Sequence, residues 1–343
     1  MPPAPDGTVA SVERRAAPSG SPPTTHLDAD RPVALSPVRH GRVGSVWRKR
    51  ATIALFLLPA LCLYVLFVLV PIFQGAYYSA FDWNGLEPLT DFIGLDNYRE
   101  ALGDPDFLGS VRHVLVIIVL SLVLQLPFAL GLAALLNQRM RGRALLRLLF
   151  FLPYVLSEVI TAVVWKLLLQ PGGMGDRTLE LVGLGAFTQE WLADPNFVLY
   201  TMFLVITWKY FGFHMILYLA GLQQIPHELQ EAAAIDGASK WKTFRHVTLP
   251  LLGPTIRISV FLSIIGSLQL FDLVWVMTGG GPLDASNTMA VYMFDRGFER
   301  GRFGYGSAVA VLVFLLCFVF ALGYQRFVLR RDVRGALTTM GAA

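Results

Sequence analysis

Glu231-Ala-Ala-Ala-Ile-Asp-Gly237, followed by Val247-Thr-Leu-Pro250, decides the reading of this chain. The segment is short and polar, and it lies between two hydrophobic runs that are each long enough to cross a membrane. Pro226 is suited to opening a helix, after which Ile225, Leu229, Ala232 and Ala233 fall at helical spacing on one side. Gly237 permits a sharp turn, Ser239 to His246 forms a second short amphipathic piece, and Pro250 is expected to stop it. A helix–turn–helix at a membrane face is suited to docking a soluble partner. On the residues alone, an ordinary interfacial loop fits equally well.

The composition says which membrane architecture surrounds it. A chain of 343 residues with 55% hydrophobic residues and a mean hydropathy of +0.55 is too apolar for one soluble domain. Six apolar runs, at 51–73, 113–136, 148–169, 197–222, 255–278 and 307–328, are each long enough to cross a hydrocarbon core of about 30 Å as a helix. The expected fold is all-α and polytopic: six transmembrane helices within residues 47–335, with the polar segment in a loop at 223–254. Residues 1–46, rich in Pro, Ser and Ala, are expected to be a disordered tail, and 336–343 a second tail. Arg14-Arg15 is not followed by an apolar core, and the first apolar run is too long for a cleaved signal peptide.

Fifteen Lys and Arg residues flank the two termini and the second and fourth loops, against six in the other loops, which are rich in acids. By the positive-inside rule, both termini and residues 223–254 face the cytoplasm of a multi-pass protein in the cell membrane. The charge balance thus signals topology and gives no indication of nucleic acid. The only cysteines, Cys62 and Cys317, lie inside apolar runs and indicate no disulfide framework.

Glu-Ala-Ala, Gly and Val-x-Leu-Pro at this spacing resemble the EAA coupling loop of ABC-transporter importer permeases, with Val247 in place of the usual isoleucine. Arg147-Leu-Leu-Phe-Phe-Leu-Pro153, Trp208-Lys-Tyr-Phe-Gly212, Ala220-Gly-Leu-Gln-Gln-Ile-Pro226 and Thr278-Gly-Gly-Gly-Pro282 narrow the likeness to the carbohydrate, maltose-type permeases. Within these the chain is similar to the larger permease without its extra N-terminal spans and external domain. The resemblance implies a type I importer architecture. Its expected partners are a second permease, two ATPase subunits and an extracytoplasmic sugar-binding protein, and its cargo a carbohydrate, an oligosaccharide in particular. It assigns Glu231, Ala232, Ala233, Asp236, Gly237, Leu249 and Pro250 to coupling with the ATPase. ATP-driven motion of that loop would then give alternating access through half of the pathway.

Polar residues inside apolar runs mark the path itself, because a charge or amide in hydrocarbon is costly unless it faces a cavity. Glu158 and Lys209 fall near the middle of the third and fourth runs, at similar depth, so an ion pair is one option; in the other, Lys209 reaches a cavity and Glu158 is protonated by burial. Ser263 and Ser267 are four apart on one helix face, Gln269 follows, and Tyr210 and Phe213 are three apart on the fourth run. Ser263, Ser267 and Phe213 fall on positions that resemble sugar-contacting positions of the maltose-type family, whereas Leu270 departs from that pattern. Serines that merely allow close helix packing are the competing reading. Ser259, one turn nearer the cytoplasm than Ser263, is expected to tolerate a bulky side chain better than Ser267.

No Gly-x4-Gly-Lys-Ser/Thr phosphate loop, metal-ligand spacing or nucleophile–base constellation occurs. The chain is therefore expected to be a non-catalytic subunit without a cofactor, ATP-Mg being used by its partner ATPases. The rival function is an ion-coupled secondary sugar transporter with Glu158 as its protonatable group.

Overall fold

The structure, a computed structural model, describes residues 43–138 and 140–329. Most of the expected N-terminal tail and all of 336–343 lie outside the described residues. Residues 43–46, assigned above to that tail, are instead the first turn of a helix beginning at Val43. No proline intervenes between Val43 and Pro59 to stop the helix of the first apolar run extending backwards.

Every regular element among the described residues is helical, apart from one isolated β-bridge between Phe81 and Phe92. The long helix that begins at Val43 is α1; its stretch Arg50–Tyr78 is long and apolar enough to cross a membrane. It is followed by α2 at Asp96–Gly103 and by α3 at Pro105–Leu136. The apolar run alone put the start of α3 at 113. The chain starts it earlier because the Asp104 carboxylate accepts from the Asp106 amide at 2.8 Å and the Phe107 amide at 3.4 Å, with Pro105 next in the first turn.

The third run is not one straight span. It divides into α4, Arg143–Val155, and α5, Glu158–Leu169, which meet at 97°. Pro153 in the last turn of α4 removes a backbone donor, and Leu156 and Ser157 are extended between the two pieces. Glu158 therefore opens α5 and does not lie in mid-helix. After α6, Met174–Leu181, comes α7, Val198–Gln223, which is apolar all round and the most deeply buried of the long helices.

The polar segment folds as α8, His227–Ile235, and α9, Lys240–Leu251. Pro250 does not stop α9. The bend, of 67°, comes at Leu252, where α10, Gly253–Leu268, begins with Pro254 in its first turn. The fifth run is also interrupted: Gln269 to Phe271 are non-helical, and α11 covers Asp272–Met277. The Leu270 carbonyl accepts from the Thr288 hydroxyl at 2.8 Å, a side-chain bond between two loops where a helix would have supplied an amide. The chain ends with α12, Met289–Phe294, and α13, Phe303–Leu329. Among the described residues, four helices are long and apolar enough to cross a membrane, or up to six if each bent pair counts as one span.

Three apolar clusters hold these helices. One joins Val198 to Ile206 of α7 with α5 and α11. A second joins Phe211 to Leu222 of α7 with Ala129, Ala133 and Leu136 of α3. The third joins α2, α3 and α10 to α12 and α13 through residues such as Phe107, Tyr292 and Val309. Small residues set the tightest approaches. A methyl group on Gly212 would lie 1.9 Å from the Phe150 carbonyl oxygen, and one on Gly221 would lie 2.5 Å from the Thr255 hydroxyl.

Candidate functional site

Both helix breaks open onto one cavity of about 360 Å³. It lies between α3, α7 and α10, with the start of α5 and the 269–272 stretch at its edges. All five residues singled out above for the substrate path, Tyr210, Phe213, Ser263, Ser267 and Gln269, line it. They reach it differently from what their spacing implied. Ser263 and Ser267 share a face of α10 as expected, but the Ser267 hydroxyl donates to the Ser263 carbonyl at 2.9 Å, within its own helix. Gln269 sits past the end of α10, in the break. The Phe213 ring stacks on Tyr154 with centroids 4.9 Å apart, so Tyr154 occupies one of its faces.

Glu158 and Lys209 are not a direct ion pair among the described residues. Lys209 is only 2% exposed, and its ammonium donates to the Leu156 carbonyl at 2.6 Å. That carbonyl has been freed by the end of α4, so the lysine satisfies a backbone group where the helix breaks. The Glu158 carboxylate accepts the Tyr210 hydroxyl. Glu158 lines the cavity and Lys209 does not.

Ser259 does not behave as a neutral neighbour of Ser267. It is fully buried and shares a 2.8 Å hydrogen bond with His214 Nδ1, so a leucine there would displace a buried polar pair. Sequence reasoning also passed over Ser121, Gln125, Tyr154 and His214, which line the same cavity. Gln125 was open to discovery, being an amide in the middle of an apolar run. Tyr154 gave no signal beside so many other aromatics.

The second site is the loop. Gly237 has φ +78°, its amide donates to Ala234 at 3.1 Å, and the Ala238 amide donates to Ala233 at 2.9 Å. This double bond pattern is the glycine-terminated helix end that closes α8 and turns the chain towards α9. Ser239 then caps α9 through the Lys242 amide at 3.4 Å. Glu231, Ala232, Asp236 and Pro250 are exposed, while Ala233 and Leu249 are half-buried. Ile235 is 86% and Trp241 67% exposed, which leaves an exposed apolar ridge on the helix pair. Beside it lies a groove of about 680 Å³, lined by Gln230, Ala234, Trp241 and Phe244 on one side and Gly131 and Ala134 of α3 on the other.

The chain that carries these two features, a polar cavity at two broken spans and an exposed Gly-turned helix pair between spans, is similar to known proteins. Residues 125–333 match the family of binding-protein-dependent transport system inner membrane components. A probable ABC transporter permease protein of Pyrococcus horikoshii is 37% identical over 274 residues, covering 79% of this chain and 94% of the relative. The chain belongs to this family of ABC transporter permeases. The multiple sugar-binding transport system permease protein of Streptococcus mutans is 32% identical over 76% of this chain and 89% of its own length. In fold, the permease is similar to a bacterial alginate ABC transporter solved in complex with an alginate pentasaccharide-bound periplasmic protein. The TM-score is 0.74 at 22% identity, over 84% of this chain and 98% of that one.

The permease's Trp208-Lys-Tyr-Phe-Gly212 stretch now has a physical account residue by residue. Trp208 packs edge-on against Trp165 at 5.4 Å, Lys209 holds the break, Tyr210 binds Glu158, Phe211 joins the inner core and Gly212 lets α4 approach.

Proposed function

We propose that this permease carries an oligosaccharide across the cell membrane as half of an ATP-driven importer, with the 360 Å³ cavity as its share of the path. The observation that carries the reading is the lining itself: hydroxyls, amides and carboxylates beside the Tyr154–Phe213 ring pair, with two breaks in otherwise apolar spans at the cavity's edges. Sugars present hydroxyl groups around the rim of a ring and C–H groups on its flatter face, and this lining offers partners for both. The sugar transport named for the Streptococcus relative and the pentasaccharide named for the alginate structure support the same cargo class.

In this reading an extracytoplasmic binding protein delivers the sugar, a second permease completes the path, and two ATPase subunits hydrolyse ATP-Mg on the cytoplasmic side. The Ile235–Trp241 ridge and the residues Glu231 to Gly237, Leu249 and Pro250 dock the ATPase. The stiffness of the Gly237 turn passes its motion to α9 and, through the bend at Leu252, to α10 and its serines. The Arg-rich flanks support both termini and 223–254 in the cytoplasm.

The test is uptake of a labelled oligosaccharide panel by cells with and without the chain. Loss of one sugar, restored by the wild-type gene and not by Ser267→Leu, is the expected result. Ser267→Ala should transport normally, since that hydroxyl is already engaged within α10. Uptake that persists without ATP and collapses with the proton gradient would overturn the importer reading.

A further inference from the structure

We propose that the cavity is an acidic filter, which admits uncharged oligosaccharides and rejects anionic ones, with Glu158 and Asp272 setting the rejection. This rests on the reading of the cavity as the cargo path. Its lining contains these two carboxylates and neither Lys nor Arg. The Lys209 ammonium is buried, donates to the Leu156 carbonyl at 2.6 Å and keeps its charge behind the wall, outside the lining. His214 Nδ1 is likewise committed to Ser259.

The two acids come from separate breaks, and each is the first residue of the helix that follows its break. Glu158 begins a helix of 12 residues, where the unpaired amides of the first turn favour a carboxylate. Glu158 is further fixed by the Tyr210 hydroxyl, while Asp272 is exposed to the cavity mouth. Apolar walls such as Ile117, Ile206 and Leu262 concentrate the field of such a pair. A uronate or phosphorylated sugar entering would meet two like charges and no cation in the lining, the one ammonium behind it balancing at most one of the two. A neutral sugar would donate hydroxyl protons to the same oxygens as charge-assisted hydrogen bonds.

The filter is read without any sugar by thiol chemistry in the assembled importer. Gly266 lines the cavity, and a side chain added there meets nothing within 4 Å. Gly266→Cys, in a background lacking Cys62 and Cys317, is reacted with cationic trimethylammonioethyl and with anionic sulfonatoethyl methanethiosulfonate. The rate ratio is normalised to that of a simple thiol. The cation should be favoured by at least about tenfold, the lower end of the effect expected for a cleft lined by one sign of charge. Glu158→Gln and Asp272→Asn should each reduce the preference, with assembly checked by size-exclusion chromatography. A normalised ratio of one would mean that the second permease neutralises the cavity, and the filter would fall. So would a ratio that neither substitution changes, or a cysteine that neither reagent reaches from either side of the membrane. Because the measurement reads charge alone, loss of the filter leaves the uptake test of the cargo standing, and a failed uptake test leaves the charge result standing.

Discussion

Replacing Gly212 by alanine adds one methyl group and should be among the most damaging small changes in the permease. The new carbon would start 1.9 Å from the Phe150 carbonyl oxygen. Ordinary contact needs about 3.4 Å, so α4 and α7 must separate by roughly 1.5 Å, and a backbone oxygen has no rotamer with which to move aside. Overpacking of this kind costs about 1–3 kcal/mol. The same separation acts on the Lys209–Leu156 bond, which spans the same two helices at 2.6 Å and would stretch to about 4 Å, beyond hydrogen-bond range. Losing a bond from a charged donor adds about 1.5–3 kcal/mol, so the sum is about 2.5–6 kcal/mol. The assay is thermal unfolding of the detergent-solubilised permease. Gly323→Ala is the control, because that glycine lies inside α13 with nothing within 4 Å and should be neutral or slightly stabilised. Equal melting behaviour of the two variants would refute the close-approach argument.

Other expectations follow from the loop, the charges and the outer face. Gly237→Val forces a β-branched residue into the φ +78° turn, and with it ATP hydrolysis should lose its stimulation by sugar-loaded binding protein while membrane insertion is kept. Normal stimulation would remove the coupling role. Single cysteines at Lys240 and at Asp96, in a background lacking Cys62 and Cys317, should divide on intact cells: an impermeant maleimide labels 96 and spares 240, and the opposite pattern inverts the topology. Outside the spans, burial works to raise the Asp104 carboxyl pKa, but the Tyr292 hydroxyl at 2.6 Å and the Asp106 and Phe107 amides outweigh it, so the pKa is held below its ordinary value. A lowered carboxyl pKa gives stability that is present above the unfolded value, near pH 4, and is lost as pH falls through the folded value. Tyr292→Phe should therefore melt lower at pH 7, with the gap closing on acidification. A gap that stays constant with pH would mean that packing alone was lost.

What the sequence revealed was what local chemistry decides. The α8–α9 turn is written in Ala233 to Ser239, because a left-handed glycine and a serine cap act on neighbouring amides. The cavity residues were legible as polar exceptions in apolar runs, and the same logic, applied to the second run, would have found Ser121 and Gln125. Ser259 shows the limit. On α10 it looks equivalent to Ser267, and only the arrival of His214 from α7 makes one a buried partner and the other part of a cavity wall. The breaks escaped the hydropathy reading because Val155, Leu156 and Leu270 are as apolar as any helical residue. Pro153 was the available signal for the first of them.

Those breaks also explain why the cavity sits where it does. Non-helical backbone at membrane depth is tolerated only where each freed amide and carbonyl finds a partner in the protein or lines a wet space. Here Leu156 is answered by Lys209 at 2.6 Å, and Leu270 by Thr288 at 2.8 Å. The lysine is thus buried at the backbone, out of direct contact with Glu158, whose carboxylate is bonded to Tyr210 and lines the cavity. A single interruption in α4–α5 thereby orders three neighbours on α7: Lys209 to the wall, Tyr210 to the acid and Gly212 to the helix crossing. A rigid approach at Gly212 and a polar clasp at Lys209 make α4 and α7 one body. The Leu252 bend then separates α9 from α10, and α10, carrying Ser263 and Ser267, is itself held to α7 by the His214–Ser259 bond and by the close approach of Gly221 to Thr255.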